Sequence, residues 1–162
     1  MQIFVDADSC PRQAREMVTR FSARLGIKAI FVANRPIPGL DAAAIMELCP
    51  SGEGAADNRI VELACGGDLV LTRDLPLAER LVQAGVTVLD DRGRAFTKEN
   101  IRERRSLRDF VVGLAENGME TERTASYGKK ELNAMANSLD RELTRLLKQS
   151  TERKQSGANP LA

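Results

Sequence analysis

Asp6 and Asp8 follow the short strand-like run Gln2-Ile3-Phe4-Val5, Asp74 follows Leu69-Val70-Leu71-Thr72, and Asp90 and Asp91 follow Val86-Thr87-Val88-Leu89. Asp57 falls in the first turn of a predicted helix, where the helix dipole favours negative charge. Carboxylates drawn together disfavour their own ionised forms unless a cation or hydrogen-bond donors compensate them. Mg²⁺ or Mn²⁺ is the natural compensator, because hard ions take oxygen ligands and share them with substrate phosphates. The set therefore points to metal-assisted attack of water on a phosphate ester, with Asp6, Asp8, Asp57 and Asp74 as catalytic and metal-holding groups. A single aspartate at a strand end is more often a turn cap; the chemistry rests on several meeting at one edge.

The same predicted loop edge carries Ser9, Asn34, Arg35, Thr72, Arg73 and Arg92. Thr72 or Ser9 could orient water, and Asn34 could donate to a phosphate oxygen, although turn capping is the commoner use of such residues. Arg35, Arg73 and Arg92 offer rigid donor forks for phosphate. Net charge is +1, yet residues 1–91 hold nine Lys/Arg against thirteen Asp/Glu, and residues 92–162 hold fifteen against ten. The excess gathers between Arg92 and Arg108, so Arg102 and Arg105 join the candidate contacts to an anionic substrate. A solvated helix face explains such a run equally well.

Composition removes other chemistries. The chain has no His, which excludes His-based triads, His general bases and His-containing zinc sites. Its six aromatic residues, none of them Trp, leave few platforms for stacking bases. Cys10, Cys49 and Cys65 form no Cys-x-x-Cys pair and suit a reducing compartment. Cys10, near a helix start, could be reactive, but a buried thiol is the stronger expectation. No signal-peptide pattern and no membrane-length apolar run is evident, so a cytoplasmic location without membrane partners is expected.

At 162 residues the chain fits one domain, expected over 1–150, with a polar, disordered tail over 151–162. Strands at 2–5, 27–33, 68–72 and 86–89 alternate with helices from Pro11 to about Leu25, from Ala55 or Ala56 to Cys65, and from Leu75 to Ala84. Leu40 to Leu48 reads as a further short helix. This alternation predicts right-handed crossovers and a three-layer α/β core around a mainly parallel sheet. Thr97 or Asn100 can cap a helix to about Ala115, and Leu132, Met135, Leu139, Leu143 and Leu146 mark an amphipathic helix over 129–148. These C-terminal helices should cover the sheet, joined by an irregular connection over 118–128. In an open parallel sheet the loops after the strand ends share one crevice, which would unite the aspartates.

Phe4-Val5-Asp6-Ala7-Asp8 also resembles the nucleophile strand of haloacid-dehalogenase-like phosphatases, with Asp6 forming a phosphoaspartate, and Val88-Leu89-Asp90-Asp91 resembles their late acidic motif. That chemistry needs a Lys between the two motifs, and none occurs from residue 29 through 97.

A more specific resemblance runs through Val5-Asp6-Ala7-Asp8-Ser9-Cys10-Pro11, Val32-Ala33-Asn34, Gly54-Ala55-Ala56-Asp57, the stretch from Gly67 to Ala78, Arg92-Gly93, Thr97 to Ile101, and Asn137-Ser138-Leu139-Asp140. Over about residues 1–147 the chain resembles the YaiI/YqxD family, also called UPF0178 or DUF188. The resemblance implies a PIN-like fold, related to metal-dependent ribonuclease domains. It makes Asp6 the principal carboxylate, with Asp8, Asp57 and Asp74 around it. Asp68 shares the motif but should sit at the opposite end of its strand, fixing the Gly66-Gly67 turn. The chain departs from the family at Thr124-Ala125-Ser126, where Gly-Gly-Pro is common, and at Glu131, Leu132 and Met135. The implied activity is phosphodiester hydrolysis with Mg or Mn, most naturally of RNA; a noncatalytic nucleic-acid-binding or regulatory protein on the same scaffold is the alternative.

Overall fold

The computed structural model describes residues 1–41, 44–117 and 127–157. The elements run β1 (Ile3–Asp6), α1 (Arg12–Leu25), β2 (Ala29–Ala33), β3 (Ile45–Leu48), α2 (Ala55–Leu63), β4 (Leu69–Leu71), α3 (Leu75–Gln83), β5 (Thr87–Leu89), β6 (Ala95–Phe96), α4 (Lys98–Glu116) and α5 (Lys129–Gly157). They form one six-stranded sheet in the order β3-β2-β1-β4-β5-β6. All neighbours are parallel except β5 and β6. This is the PIN-like arrangement of a mainly parallel sheet with C-terminal helices over it.

The central strands are almost wholly apolar because both faces are covered, and Asp6, closing β1, is the buried exception in the innermost ones. Ile3, Val5, Phe31, Leu69, Leu71 and Leu89 pack on one face with Ala14, Met17 and Val18 of α1 and Met135, Leu139, Leu143 and Leu146 of α5. Phe4, Val32, Val70 and Val88 pack on the other with Ile60 of α2, Leu77 and Leu81 of α3 and Ile101 of α4. From β1 the chain first moves toward β2 and β3, then returns past β1 to β4 and moves outward to β5. Right-handed crossovers in opposite directions place α1 and α3 on opposite faces. The loops after β1 and β4 consequently diverge and open a crevice between them.

The helix expected over Leu40–Leu48 is instead, over its second half, the edge strand β3, paired with β2 from Ile30↔Ile45 to Ala33↔Leu48; residues 42 and 43 lie outside the described residues. The local sequence favours helix, but Met46 packs against the core of the α1 face, and Arg59 of α2 holds Glu47 at 2.7 Å. Pairing outweighs propensity here. The expected tail is helical through Gly157, while 158–162 and most of the expected 118–128 connection, including Thr124, Ala125 and Ser126, lie outside the described residues. Thr97 caps α4 through a reciprocal pair, accepting from the Asn100 amide while the Asn100 side chain accepts from Thr97 N–H.

Candidate functional site

Asp6 closes β1 and is 5% exposed at the carboxyl edge of the sheet. Ser9 Oγ and Thr72 Oγ1 both donate to its Oδ2, at 2.7 and 2.8 Å. No described residue hydrogen-bonds Oδ1. Burial pushes the Asp6 carboxyl above the usual carboxylate range; the two hydroxyls oppose this, and the nearby charges of Asp74 and Asp8 reinforce it. Thr72 is fully buried, and its Oγ1 also accepts the Asp74 N–H at 3.0 Å. One hydroxyl thus ties the ends of two adjacent strands together.

Asp74 caps α3, its Oδ1 accepting the Leu77 N–H at 2.8 Å. That bond fixes the carboxylate at the crevice and leaves Oδ2 without a hydrogen bond among the described residues. Asp57, in the first turn of α2, is half-buried, and its carboxylate makes no hydrogen bond to a described residue. Its carboxyl is also raised, first by burial and then by Asp6 and Asp74, against the opposing charge of Arg80. Asp6, Asp57 and Asp74 therefore share one electrostatic environment, and each keeps at least one carboxylate oxygen uncommitted.

Asp8 does not join them in the same way. Its Oδ2 accepts the Asn34 N–H at 2.8 Å and its Oδ1 lies 3.5 Å from Arg35 Nε, so it fastens the loop after β2 to the loop after β1. The Asn34 side chain reaches Gly52 O at 3.5 Å. Ser9 and Thr72 each donate to Asp6 itself and so set the direction of the carboxylate. Cys10 is buried, and burial pushes its thiol up to about 12, which makes it inert near neutral pH. Asp68 sits at the opposite edge, accepting from Gln2 N–H at 2.7 Å and Cys65 N–H at 3.1 Å, and so fixes the turn before β4.

The arginines divide into two groups. Arg105 binds Glu79 at 2.9 Å, and Arg102 lines a cavity with Glu79, Gln83 and Lys98, which places both on the α3 side of α4. Arg104 and Arg108, four residues apart on α4, instead face the β5–β6 turn. There they line a cavity of about 530 Å³ with Arg73, Arg92, Arg94, Asp90, Asp91 and Phe96. Arg94 lies 2.7 Å and Arg104 3.8 Å from the same oxygen of Asp90, Arg73 lies 3.6 Å from Asp91, and Arg92 lies 3.7 Å from Glu131. The sequence places Arg94, Arg104 and Arg108 in the basic run without separating them from Arg102 and Arg105; the four-residue spacing of Arg104 and Arg108 is its one trace of their shared face.

A profile of the family described as "Uncharacterized BCR, YaiI/YqxD family" (DUF188) matches residues 4–145. The chain belongs to this family. It is 46% identical over 154 residues to a UPF0178 protein of Treponema pallidum, covering 94% of this chain and 87% of that one. It is 45% identical over 149 residues to a UPF0178 protein of Treponema denticola, with 92% and 96% covered. A UPF0178 protein of Ectopseudomonas mendocina is 42% identical over 147 residues, with 90% and 99% covered. No solved structure gives a significant match.

Among the described residues, no group of three or more His, Cys, Asp or Glu is placed to hold a metal ion. Asp8 faces Asn34 and Arg35, and Asp74 has one oxygen on the α3 cap. The remaining donor set fits a hard divalent cation by its chemistry: oxygen atoms only, uncommitted on Asp6 Oδ1, Asp74 Oδ2 and Asp57. Two such carboxylates with water suffice for Mg²⁺. No helix of the described residues is long and apolar enough to cross a membrane.

Proposed function

We propose that this YaiI/YqxD-family protein is a Mg²⁺- or Mn²⁺-dependent phosphodiester hydrolase acting on RNA. The observation that supports it most is Asp6: buried at the topological switch of the sheet, with two hydroxyls on Oδ2, Oδ1 left over, and Asp57 and Asp74 beside it. Ligands of open α/β sheets bind at this position. A hydrophobic interior gains nothing from three carboxylates whose charges oppose one another, whereas a site for a cation and a phosphate does.

Asp6 and Asp74, with Asp57 entering from α2, would hold the cation, which supplies Lewis acidity and offsets phosphate charge. The chain's own residues do the rest. Ser9 and Thr72 lock Asp6 in one rotamer so that Oδ1 faces the crevice. The Asp74 cap fixes the second carboxylate against α3. Arg73, between Thr72 and Asp74, stands beside the place of the scissile phosphate and can take up charge that develops on its oxygens.

The test is cleavage of an end-labelled single-stranded RNA with Mn²⁺ or Mg²⁺. Internal cuts should appear and fall by about 100-fold or more in Asp6→Asn and in Asp74→Asn, whose folds are verified by thermal melting. Unchanged cutting by the double variant would refute the assignment. A protein that binds RNA and never cuts it would be a binding protein on the same scaffold.

A further inference from the structure

The cavity between the β5–β6 turn and α4 is lined by five arginines and two aspartates. One of those aspartates has no capacity left. Asp90 Oδ1 accepts the backbone N–H groups of Arg92 and Arg94, at 3.0 and 2.8 Å, while Oδ2 is shared by the guanidinium groups of Arg94 and Arg104. Two cations on one saturated carboxylate, with Arg108 exposed next to them, leave a local positive surplus. Arg104 is strained by it: burial and the charge of Arg94 lower its pKa, against Asp90. Such an arrangement is relieved by an anion in the cavity.

Arg104 has a second feature. Its guanidinium lies over the Phe96 ring, 4.6 Å from the centroid, while the residue lines the cavity. Phe96 is itself 7% exposed, so the ring serves as backing and the planar guanidinium is the surface offered to a ligand. Nucleobases stack on arginine planes as they do on aromatic rings. A volume of about 530 Å³ suits one nucleotide-sized group, and Leu75 and Leu107 add apolar wall. The cavity adjoins the carboxylates through Arg73, the neighbour of Asp74 in sequence, and neighbouring strands are only about 4.8 Å apart.

We propose that this cavity holds one nucleotide of a single strand next to the scissile one, its base on the Arg104 plane and its phosphate on Arg94 and Arg108. This deepens the nuclease reading and rests on it for the location of the scissile phosphate. It also replaces the stacking aromatics that the sequence lacks.

The test measures binding of a short single-stranded RNA and of the same strand with abasic positions, by fluorescence anisotropy of the full chain without divalent cation. Arg104→Lys keeps the charge and removes the plane. It should weaken the base-containing strand by about 10-fold and leave the abasic strand within about 2-fold. Arg108→Glu, an exposed position whose folding is not at stake, should weaken both and flatten the salt dependence. Arg24→Lys is the matched control, because Arg24 lies over Phe21 at 4.6 Å away from the cavity; it should change neither. Equal losses for both strands in Arg104→Lys, or no loss in Arg108→Glu, overturn the proposal. Asp6→Asn should retain binding. Cleavage unaffected by the arginine variants leaves the nuclease and removes this site; the binding pattern without cleavage does the reverse.

Discussion

Thr72 Oγ1 donates to Asp6 Oδ2 at 2.8 Å across 66 positions of sequence, and the same oxygen accepts the Asp74 N–H at 3.0 Å. The contact spans the boundary between β1 and β4, where the chain reverses its direction of travel across the sheet. It orients the buried carboxylate and seats the N-terminus of α3 with one group. Structure and candidate chemistry therefore depend on the same hydroxyl.

Thr72→Val keeps the shape and removes both bonds. It should cost about 1.5–3 kcal/mol in chemical denaturation, since one lost partner is a carboxylate and the other a backbone N–H. Any nuclease activity should fall by more than the loss of stability explains, because Asp6 is then held by Ser9 alone. Thr72→Ser should restore both quantities. Full activity in Thr72→Val would show that Asp6 needs no such orientation.

Gly93 lies tightly against the backbone of α5. Its φ is 79°, and a Cβ there would lie 2.5 Å from Ala134 O and 2.9 Å from Met135 Cα. Ser138 Oγ meanwhile donates to Gly93 O at 2.6 Å, so α5 is docked directly on the β5–β6 turn. Gly93→Ala adds both backbone strain and a clash with backbone, which cannot rotate away. We expect a loss of about 2–4 kcal/mol, with loosening of α5 in hydrogen exchange. Ser138→Ala should cost less, about 1 kcal/mol.

The sequence made the sheet core and most of the carboxylate edge legible, because alternating strands and helices leave few topologies. Asp6, Asp57 and Asp74 follow from that topology alone, and the structure puts them in one electrostatic environment. Asp8 shows the limit. It lies two residues from Asp6, and its contacts to Asn34 N–H and to Arg35, just beyond β2, cannot be read from that spacing. The arginines show the same limit on a helix. Charge counting marks the whole run from Arg92 to Arg108, whereas the packing of Ile101 against the core decides which side of α4 meets the β5–β6 turn.

The spacing of Met135, Leu139, Leu143 and Leu146 predicts the buried stripe of α5, and all four are buried against the α1 face of the sheet. Leu139→Ala should therefore behave as a core truncation, costing about 2–5 kcal/mol by thermal or urea denaturation. A loss below about 1 kcal/mol would mean that α5 contributes little to the fold's stability.

Asp91 gives a pH dependence whose sign can be derived. It is 3% exposed, its Oδ2 has no hydrogen-bond partner among the described residues, and Arg73 lies 3.6 Å from Oδ1. Burial raises its carboxyl above the usual range, and Arg73 offsets only part of that. The folded state therefore holds the proton more tightly than the unfolded chain does. Stability from this group is greatest below the unfolded value of about 3.9 and declines as pH rises through the raised folded value, after which it stays level. Its titratable neighbours Cys10 and Tyr127 are each pushed up to about 12, so neither changes charge in that window. Asp91→Asn removes the titration while keeping a polar group of the same size. The stability of the variant relative to the native protein should thus grow as pH rises above about 4 and level off once Asp91 has ionised in the folded state, measured by urea denaturation over a pH series. A difference that stays constant across the series would place the ionised Asp91 in a compensated environment, with its second oxygen satisfied.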